Sequence, residues 1–200
     1  MVTVEKINPR IGLLGELAVE MQIVRHGWHP VRLDTAQMAS NADLIAVNRQ
    51  RRVSIQVKTT SAATQNKTEA AGWLSFGYAT GYLRDNNESI FNAKKSPLIA
   101  DVVVAVSYHP FKTRFIVMPV AFAEKLCAVH CNYWYSVLTK RGKKRSPAFP
   151  IYLPFTANLR ARAKHYERMK RNVLKFEGAW KILAEDIGKL HDRREWPLLR

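Results

Sequence analysis

Two short segments near the start of the chain constrain its fold more than anything else in the sequence. Asn41-Ala-Asp-Leu-Ile-Ala-Val47 and Val53-Ser-Ile-Gln-Val-Lys-Thr59 flank the polar turn Asn48-Arg-Gln-Arg51. Apolar runs of this length around a polar turn predict a hairpin, with strands over Asp43–Val47 and Arg52–Thr59. Side chains alternate along a strand, so Val53, Ile55 and Val57 point one way and Ser54, Gln56 and Lys58 the other. Alternation alone is ordinary. The specific feature is Gln56 and Lys58 two apart, with Asp43 opening the preceding strand, since a hairpin brings these groups together at one end of a sheet.

The elements around the hairpin follow from the same kind of signal. Asn8 is a good N-cap, Pro9 suits the first helical position, and Gly27 marks the end of a helix between them. Within it Leu14, Leu17, Met21 and Val24 recur at helical spacing and predict the apolar face. Glu16 lies about 120° from the centre of that stripe and Glu20 is one turn on, so both sit at the rim of what the helix covers. Strands are predicted over Pro30–Leu33, Trp73–Tyr78, Asp101–Ser107 and Phe115–Met118, with a polar loop over Thr35–Asn41. Helices are predicted over Phe122–Tyr133, Asn158–Val173 and Glu177–His191. This order implies an α/β fold: a mixed central sheet flanked by helices, with a helical, basic C-terminal extension. The expected division is a core over residues 1–137 and an extension over 138–200, packed on or beside it.

Charge narrows the partner. The 200 residues carry a formal net charge of +16, which divides as +3 over residues 1–60, +2 over 61–139 and +11 over 140–200. An excess of this size calls for an anionic partner, either nucleic acid or a membrane surface. The opening Met1–Arg10 lacks the apolar run of a secretory signal, and no window approaches ~18 uninterrupted apolar residues. A cytoplasmic protein with no membrane span is therefore expected, with nucleic acid as its partner. Cys127 and Cys131, with His130 beside them, lie in a sequence with no second Cys/His cluster. A closed zinc site needs about four ligands, so two reduced, partly buried thiols are expected there.

The residue types at the hairpin suit phosphodiester hydrolysis. That reaction needs an activated water and a stabilised leaving oxygen, and Mg²⁺ supplies both when a few oxygens hold it and leave water positions open. Asp43 offers an ionised oxygen, Gln56 a neutral amide oxygen, and the Val57 main-chain carbonyl can complete one edge. Lys58 can orient the water or stabilise charge growing on the phosphate. Glu16 adds the negative charge that Gln56 does not bring, and Glu20 is its rival on the same helix.

Gly15-Glu16 on the first helix, Gly27-Trp28, Asp43 and Gln56-Val57-Lys58 resemble the PD-(D/E)xK nuclease superfamily. They are most similar to its Gln-x-Lys branch, which includes Holliday-junction resolvase-like and methyl-directed restriction endonuclease domains. The resemblance covers residues 9–60 and extends through the strands ending near Val120. It implies a restriction-endonuclease-like core, a DNA substrate and divalent-metal catalysis, with Mg²⁺ as cofactor and Mn²⁺ able to substitute. It carries the helix carboxylate onto Glu16, the principal metal ligand onto Asp43, the second onto Gln56 and the lysine onto Lys58. Ala42 stands where the family's name-giving proline would be, and Gln56 replaces its acidic residue. Many relatives are dimers, because cutting both strands needs two sites; no dimer surface is readable in this sequence.

The basic third supplies candidate DNA contacts. Lys140, Arg141, Lys143, Lys144 and Arg145 surround Gly142 in a loop able to track phosphates, and Arg160, Lys164, Arg168 and Arg171 lie on a basic helix. Tyr133, Trp134 and Tyr135 could stack on unpaired bases, but large aromatics near a helix end are more often core. Trp180, Ile182 and Leu183 are expected to dock the last helix. The leading expectation is a metal-dependent endodeoxyribonuclease. The alternatives are a nuclease-fold DNA-binding protein with weak or no catalysis, and a basic interaction module with no enzymatic role.

Overall fold

The computed structural model describes residues 8–33, 42–61, 73–75, 82–83, 89–90, 100–108, 112–126, 129, 152–154, 168 and 171–192. Helix α1 (Asn8–Arg25) leads into β1 (His29–Arg32), β2 (Leu44–Asn48) and β3 (Arg51–Ser61). Short strands β4 (Trp73–Ser75), β5 (Tyr82–Leu83) and β6 (Ser89–Ile90) precede β7 (Val102–Tyr108) and β8 (Arg114–Pro119), and β9 (Tyr152–Pro154) comes later. Five strands form the central sheet in the order β1-β2-β3-β7-β8, while β4 pairs with β9 and β5 with β6.

The central sheet is mixed. β1, β2 and β3 form an antiparallel meander, β7 lies parallel to β3, and β8 returns antiparallel to β7. Residues 102–107 of β7 are all buried, as a strand covered on both faces requires, and four of its seven residues are valine. The predicted hairpin is present, with Leu44 opposite Ile55 and Asn48 opposite Arg51. With helices packed against it, the molecule is an α/β fold built on a mixed sheet.

Directly paired residues share a face. Ile55, Val57 and Thr59 therefore lie on one face with Val102, Val104 and Val106, and Gln56 and Lys58 lie on the other with Val103 and Ala105. Helix α1 packs on the first face. A Cβ built on Gly15 would stand 1.8 Å from Thr59 Oγ1, so only glycine permits this approach of helix to strand. Val19 and Ile23 are fully buried behind it.

This inward face differs from the one expected. Leu14, Leu17, Met21 and Val24 are 38–59 % exposed and point away from the sheet. The helix carries apolar side chains on nearly every side, so the most populous stripe is a poor guide. The close approach at Gly15 selects the narrower face through Val19 and Ile23.

The end of α1 is as expected. Gly27 takes a left-handed φ of 78°. Its N–H donates to the Val24 carbonyl at 2.9 Å, and the Trp28 N–H donates to Ile23 at 3.0 Å. These two bonds form a Schellman cap, which needs glycine at the turn position.

The C-terminal segment joins the same core, which holds Val173, Phe176, Trp180, Ile182, Leu183 and Leu190. It is not the single helix expected over Glu177–His191. Phe176 and Gly178 instead extend the outer edge of β8, with Val117 N–H donating to Phe176 O and Gly178 N–H to Phe115 O, both at 2.9 Å. Gly178, at φ 63°, then turns the chain into a 3₁₀ turn over Trp180–Ala184 and a short helix over Ile187–His191. Covering an edge strand removes a row of unpaired backbone groups, a demand that helical periodicity does not register.

Candidate functional site

Asp43 stands immediately before β2, where the paired ladder with β3 ends, and the backbone fixes it from three directions. Its N–H donates to the Ile55 carbonyl at 2.9 Å, and its carbonyl accepts from Leu33 N–H at 3.1 Å. Its carboxylate Oδ2 accepts the Val57 N–H at 2.6 Å. The side chain thus satisfies a β3 amide beyond the last β2 pair and lies in the fork between the strands. Burial pushes the Asp43 carboxyl above its ordinary range, against the Val57 hydrogen bond and the positive charge of Lys58, which lower it.

Glu16 approaches the same fork from α1. At about 100° per residue it sits roughly 60° from the centre of the Gly15–Val19–Ile23 face, so it lies at the rim of the surface that α1 packs on the sheet. Its carboxyl is also raised, first by burial and next by the negative charge of Asp43; Arg32 and Lys58 oppose this. Glu16, Asp43 and Lys58 therefore share one electrostatic neighbourhood, although they come from three different elements. Glu20 is engaged elsewhere, in an ion pair with Arg32 Nε. Arg32 Nη1 also lies 3.9 Å from Glu16 Oε2, so one guanidinium spans both helix carboxylates.

Gln56 is fully buried, and among the described residues neither its Oε1 nor its Nε2 has a hydrogen-bond partner. An unsatisfied buried amide costs on the order of 1–3 kcal/mol, so its presence calls for a polar occupant beside it. Val57 is buried and contributes its N–H to Asp43, while Lys58 is half-buried two residues beyond Gln56 on the same face. Glu16, Asp43, Gln56 and the Val57 carbonyl are all oxygen donors, which is the set a hard divalent cation takes. Among the described residues no three of His, Cys, Asp and Glu cluster as a metal site, so such a cation would depend on the amide and main-chain oxygens.

Of the basic residues singled out for DNA contact, Arg168 and Arg171 are exposed. Lys140, Arg141, Lys143, Lys144, Arg145, Arg160 and Lys164 lie outside the described residues, as do Tyr133–Tyr135 and the Cys127/Cys131 pair. Among the described residues, no helix is long and apolar enough to cross a membrane.

Two features escaped sequence reasoning. Arg32 reaches the α1 carboxylates because its pairing with Leu44 places it on the helix-bearing face, and nothing in its local sequence announces that. Asp101 links two distant segments: its Oδ2 accepts from Ser54 N–H at 2.8 Å and Ser54 Oγ–H at 2.7 Å, and His191 Nε2 lies 2.8 Å from its Oδ1. The carboxylate stands between hydroxyl and imidazole, so the trio is a structural tie and not a nucleophile–base relay. These bonds and the His191 charge hold the Asp101 carboxyl below its ordinary range despite burial.

No family model matches the chain, and no curated protein matches it. Among solved structures, the chain is similar to a bacterial homing endonuclease, I-Ssp6803I, at 15 % identity and a TM-score of 0.45, covering 88 % of this chain and 91 % of that one. It is also similar to MepB, at 14 % identity and a TM-score of 0.33, covering 74 % of this chain and 83 % of that one.

Proposed function

We propose that this chain is a metal-dependent endonuclease that hydrolyses DNA phosphodiester bonds, with Mg²⁺ as cofactor and Mn²⁺ able to replace it. One observation carries the reading. Two carboxylates raised by burial, Glu16 and Asp43, share one electrostatic neighbourhood with Lys58, and on the same strand as Lys58 the buried amide of Gln56 has no hydrogen-bond partner among the described residues. Two neighbouring carboxylates in that state favour a bound cation, which relieves their mutual repulsion.

Asp43 provides an anionic oxygen fixed by its own backbone bonds, and Glu16 provides the second negative charge from α1. Gln56 Oε1 and the Val57 carbonyl complete the oxygen set. When bound there, a divalent cation supplies Lewis acidity and an acidified water. Lys58 holds a positive charge at the same fork, where it stabilises the charge that grows on the phosphate as the bond breaks. Residues 1–137 form the nuclease core in this reading. Residues 138–200 add phosphate contacts from Lys140 to Arg145, Arg160, Lys164, Arg168 and Arg171. A cytoplasmic homodimer would supply two sites for two strands.

The replacement of an acidic residue by Gln56 favours a second reading, a DNA-binding protein of this fold with weak or no cleavage. Incubating linear duplex and a four-way junction with the protein in Mg²⁺, and again in EDTA, separates the two. Products that need Mg²⁺ support the nuclease. Binding without products supports the second reading.

A further inference from the structure

A cavity of about 510 Å³ opens beside the end of α1, lined by His26, Trp28, Lys175, Glu177, Trp180 and Lys181 among others. Its size falls in the range of small-ligand sites. It forms because the Schellman cap turns the chain sharply after Arg25 and sets His26 and Trp28 on one wall, while the turn at Gly178 brings Trp180 to the other. His26 stacks on Trp180 with ring centroids 5.8 Å apart, and Phe115 meets Trp180 edge-on. Trp180 is only 4 % exposed, so it serves as a wall. The ring surfaces open to a ligand are those of His26, which is exposed, and Trp28, which is half-buried.

Charge selects the ligand. Lys175 and Lys181 are both exposed on the rim. Among the described lining residues the one carboxylate, Glu177, is held by Arg114 through Nε at 2.6 Å and Nη2 at 2.9 Å, so its charge is already matched. Lys175 Nζ touches Asn172 Oδ1, a neutral partner, and no carboxylate among the described residues forms an ion pair with it. Flat rings with two cations at the mouth suit a planar group carrying phosphate.

We propose that this cavity binds an unpaired nucleotide of the nucleic-acid partner, its base against His26 and Trp28 and its phosphate toward Lys175 and Lys181. The cavity lies ten residues along α1 from Glu16, about 15 Å at the helical rise, a span of four or five nucleotides at roughly 3.4 Å each. It is thus a separate site reachable by the same strand. The inference rests on the nucleic-acid reading but not on cleavage.

The test measures equilibrium binding of the full chain in EDTA, so that cleavage plays no part. Three labelled probes are compared: a blunt duplex, the same duplex with a thymidine overhang, and that duplex with an abasic overhang that keeps the phosphates. Wild type should bind the thymidine overhang about tenfold tighter than the other two, the scale of one base stacked on an aromatic ring. Trp28→Ala should abolish this preference. Because Trp28 also packs on the core, exposed His26→Ala and Lys181→Ala serve as further variants. His26→Ala should reduce the preference for base over abasic overhang. Lys181→Ala should weaken both overhang probes and lower the salt dependence by about 0.7. Equal affinity for all three probes, or an unchanged preference in both His26→Ala and Trp28→Ala, overturns the proposal while leaving DNA binding intact. Failure to bind any probe overturns the nucleic-acid reading with it.

Discussion

The close contact between Gly15 and Thr59 positions Glu16, and it can be tested by adding a single methyl group. In Gly15→Ala the new Cβ would meet Thr59 Oγ1 at 1.8 Å, Cγ2 at 2.6 Å and Cβ at 2.7 Å. Thr59 can rotate its Oγ1 and Cγ2, but its Cβ is fixed to the strand, so reaching an ordinary contact of 3.4 Å requires helix and strand to part by about 0.7 Å, and overpacking of this kind costs about 1–3 kcal/mol. Alanine also gains up to about 1 kcal/mol in helix propensity, so the single variant understates the clash. Gly12→Ala supplies the reference, because a Cβ at Gly12 meets nothing within 4 Å. The difference between the two variants isolates the contact. For a chain of this size it amounts to a gap in melting temperature on the order of 3–9 °C, with Gly15→Ala the lower. Thermal melts followed by circular dichroism read this directly. Adding Thr59→Gly to Gly15→Ala should recover part of the loss, giving a positive coupling in a double-mutant cycle. If the two alanine variants melt together and the cycle shows no coupling, α1 does not rest on β3 at Gly15, and the placement of Glu16 fails with it.

Other consequences follow from the charged groups. Asp43 and Glu16 are raised by burial, so without metal they destabilise the fold above their folded pKa values, and this is relieved as pH falls through them. Asp43→Asn should therefore melt higher than wild type at neutral pH without metal, the gap closing near pH 4; Mg²⁺ should raise the melting temperature of wild type alone. Asp101 is held low in the folded state, so the stability it provides is present above the ordinary aspartate pKa and lost as pH falls through the lowered folded value. Asp101→Ala should lose about 1–3 kcal/mol in denaturant unfolding at pH 7, since it strips the acceptor from Ser54, and the loss should vanish in acid. Replacing Lys143, Lys144 and Arg145 by alanine should weaken binding equally on unrelated duplexes. It should also flatten the slope of log K against log salt by about 2–3, which titrations at three salt concentrations measure.

The hairpin was legible because its two signals agree: alternation along Val53–Lys58 and turn residues at Asn48–Arg51 both point to two strands joined by a tight turn, and the two strands pair antiparallel. The end of α1 was legible for a similar reason, since Gly27 is the residue a left-handed cap requires. The inward face of α1 was not. Leu14, Leu17, Met21 and Val24 outnumber Val19 and Ile23, but tertiary packing turned on the absence of a side chain at Gly15, which a count of apolar residues cannot register. The Phe176–Gly178 edge was hidden because its partner, β8, lies some sixty residues earlier in the chain. Within the candidate site, residue types suggested Asp43, Gln56 and Lys58. That Asp43 caps the Val57 amide, and that Arg32 spans Glu16 and Glu20, depended on pairings of β1 and β2 that no local pattern specifies.

The proposed endonuclease activity depends on a metal held by Asp43 and its neighbours. The most direct measurement is nicking of supercoiled plasmid in Mg²⁺ by wild type and Asp43→Asn, purified side by side so that any contaminating nuclease appears in both. Asparagine keeps an oxygen for the Val57 amide, so the fold and DNA affinity should hold within a few-fold while the anionic ligand is lost. Wild type should nick the plasmid in a reaction that EDTA abolishes, and Asp43→Asn should not nick it. Equal nicking by the two proteins, or nicking that persists in EDTA, would contradict the proposed activity.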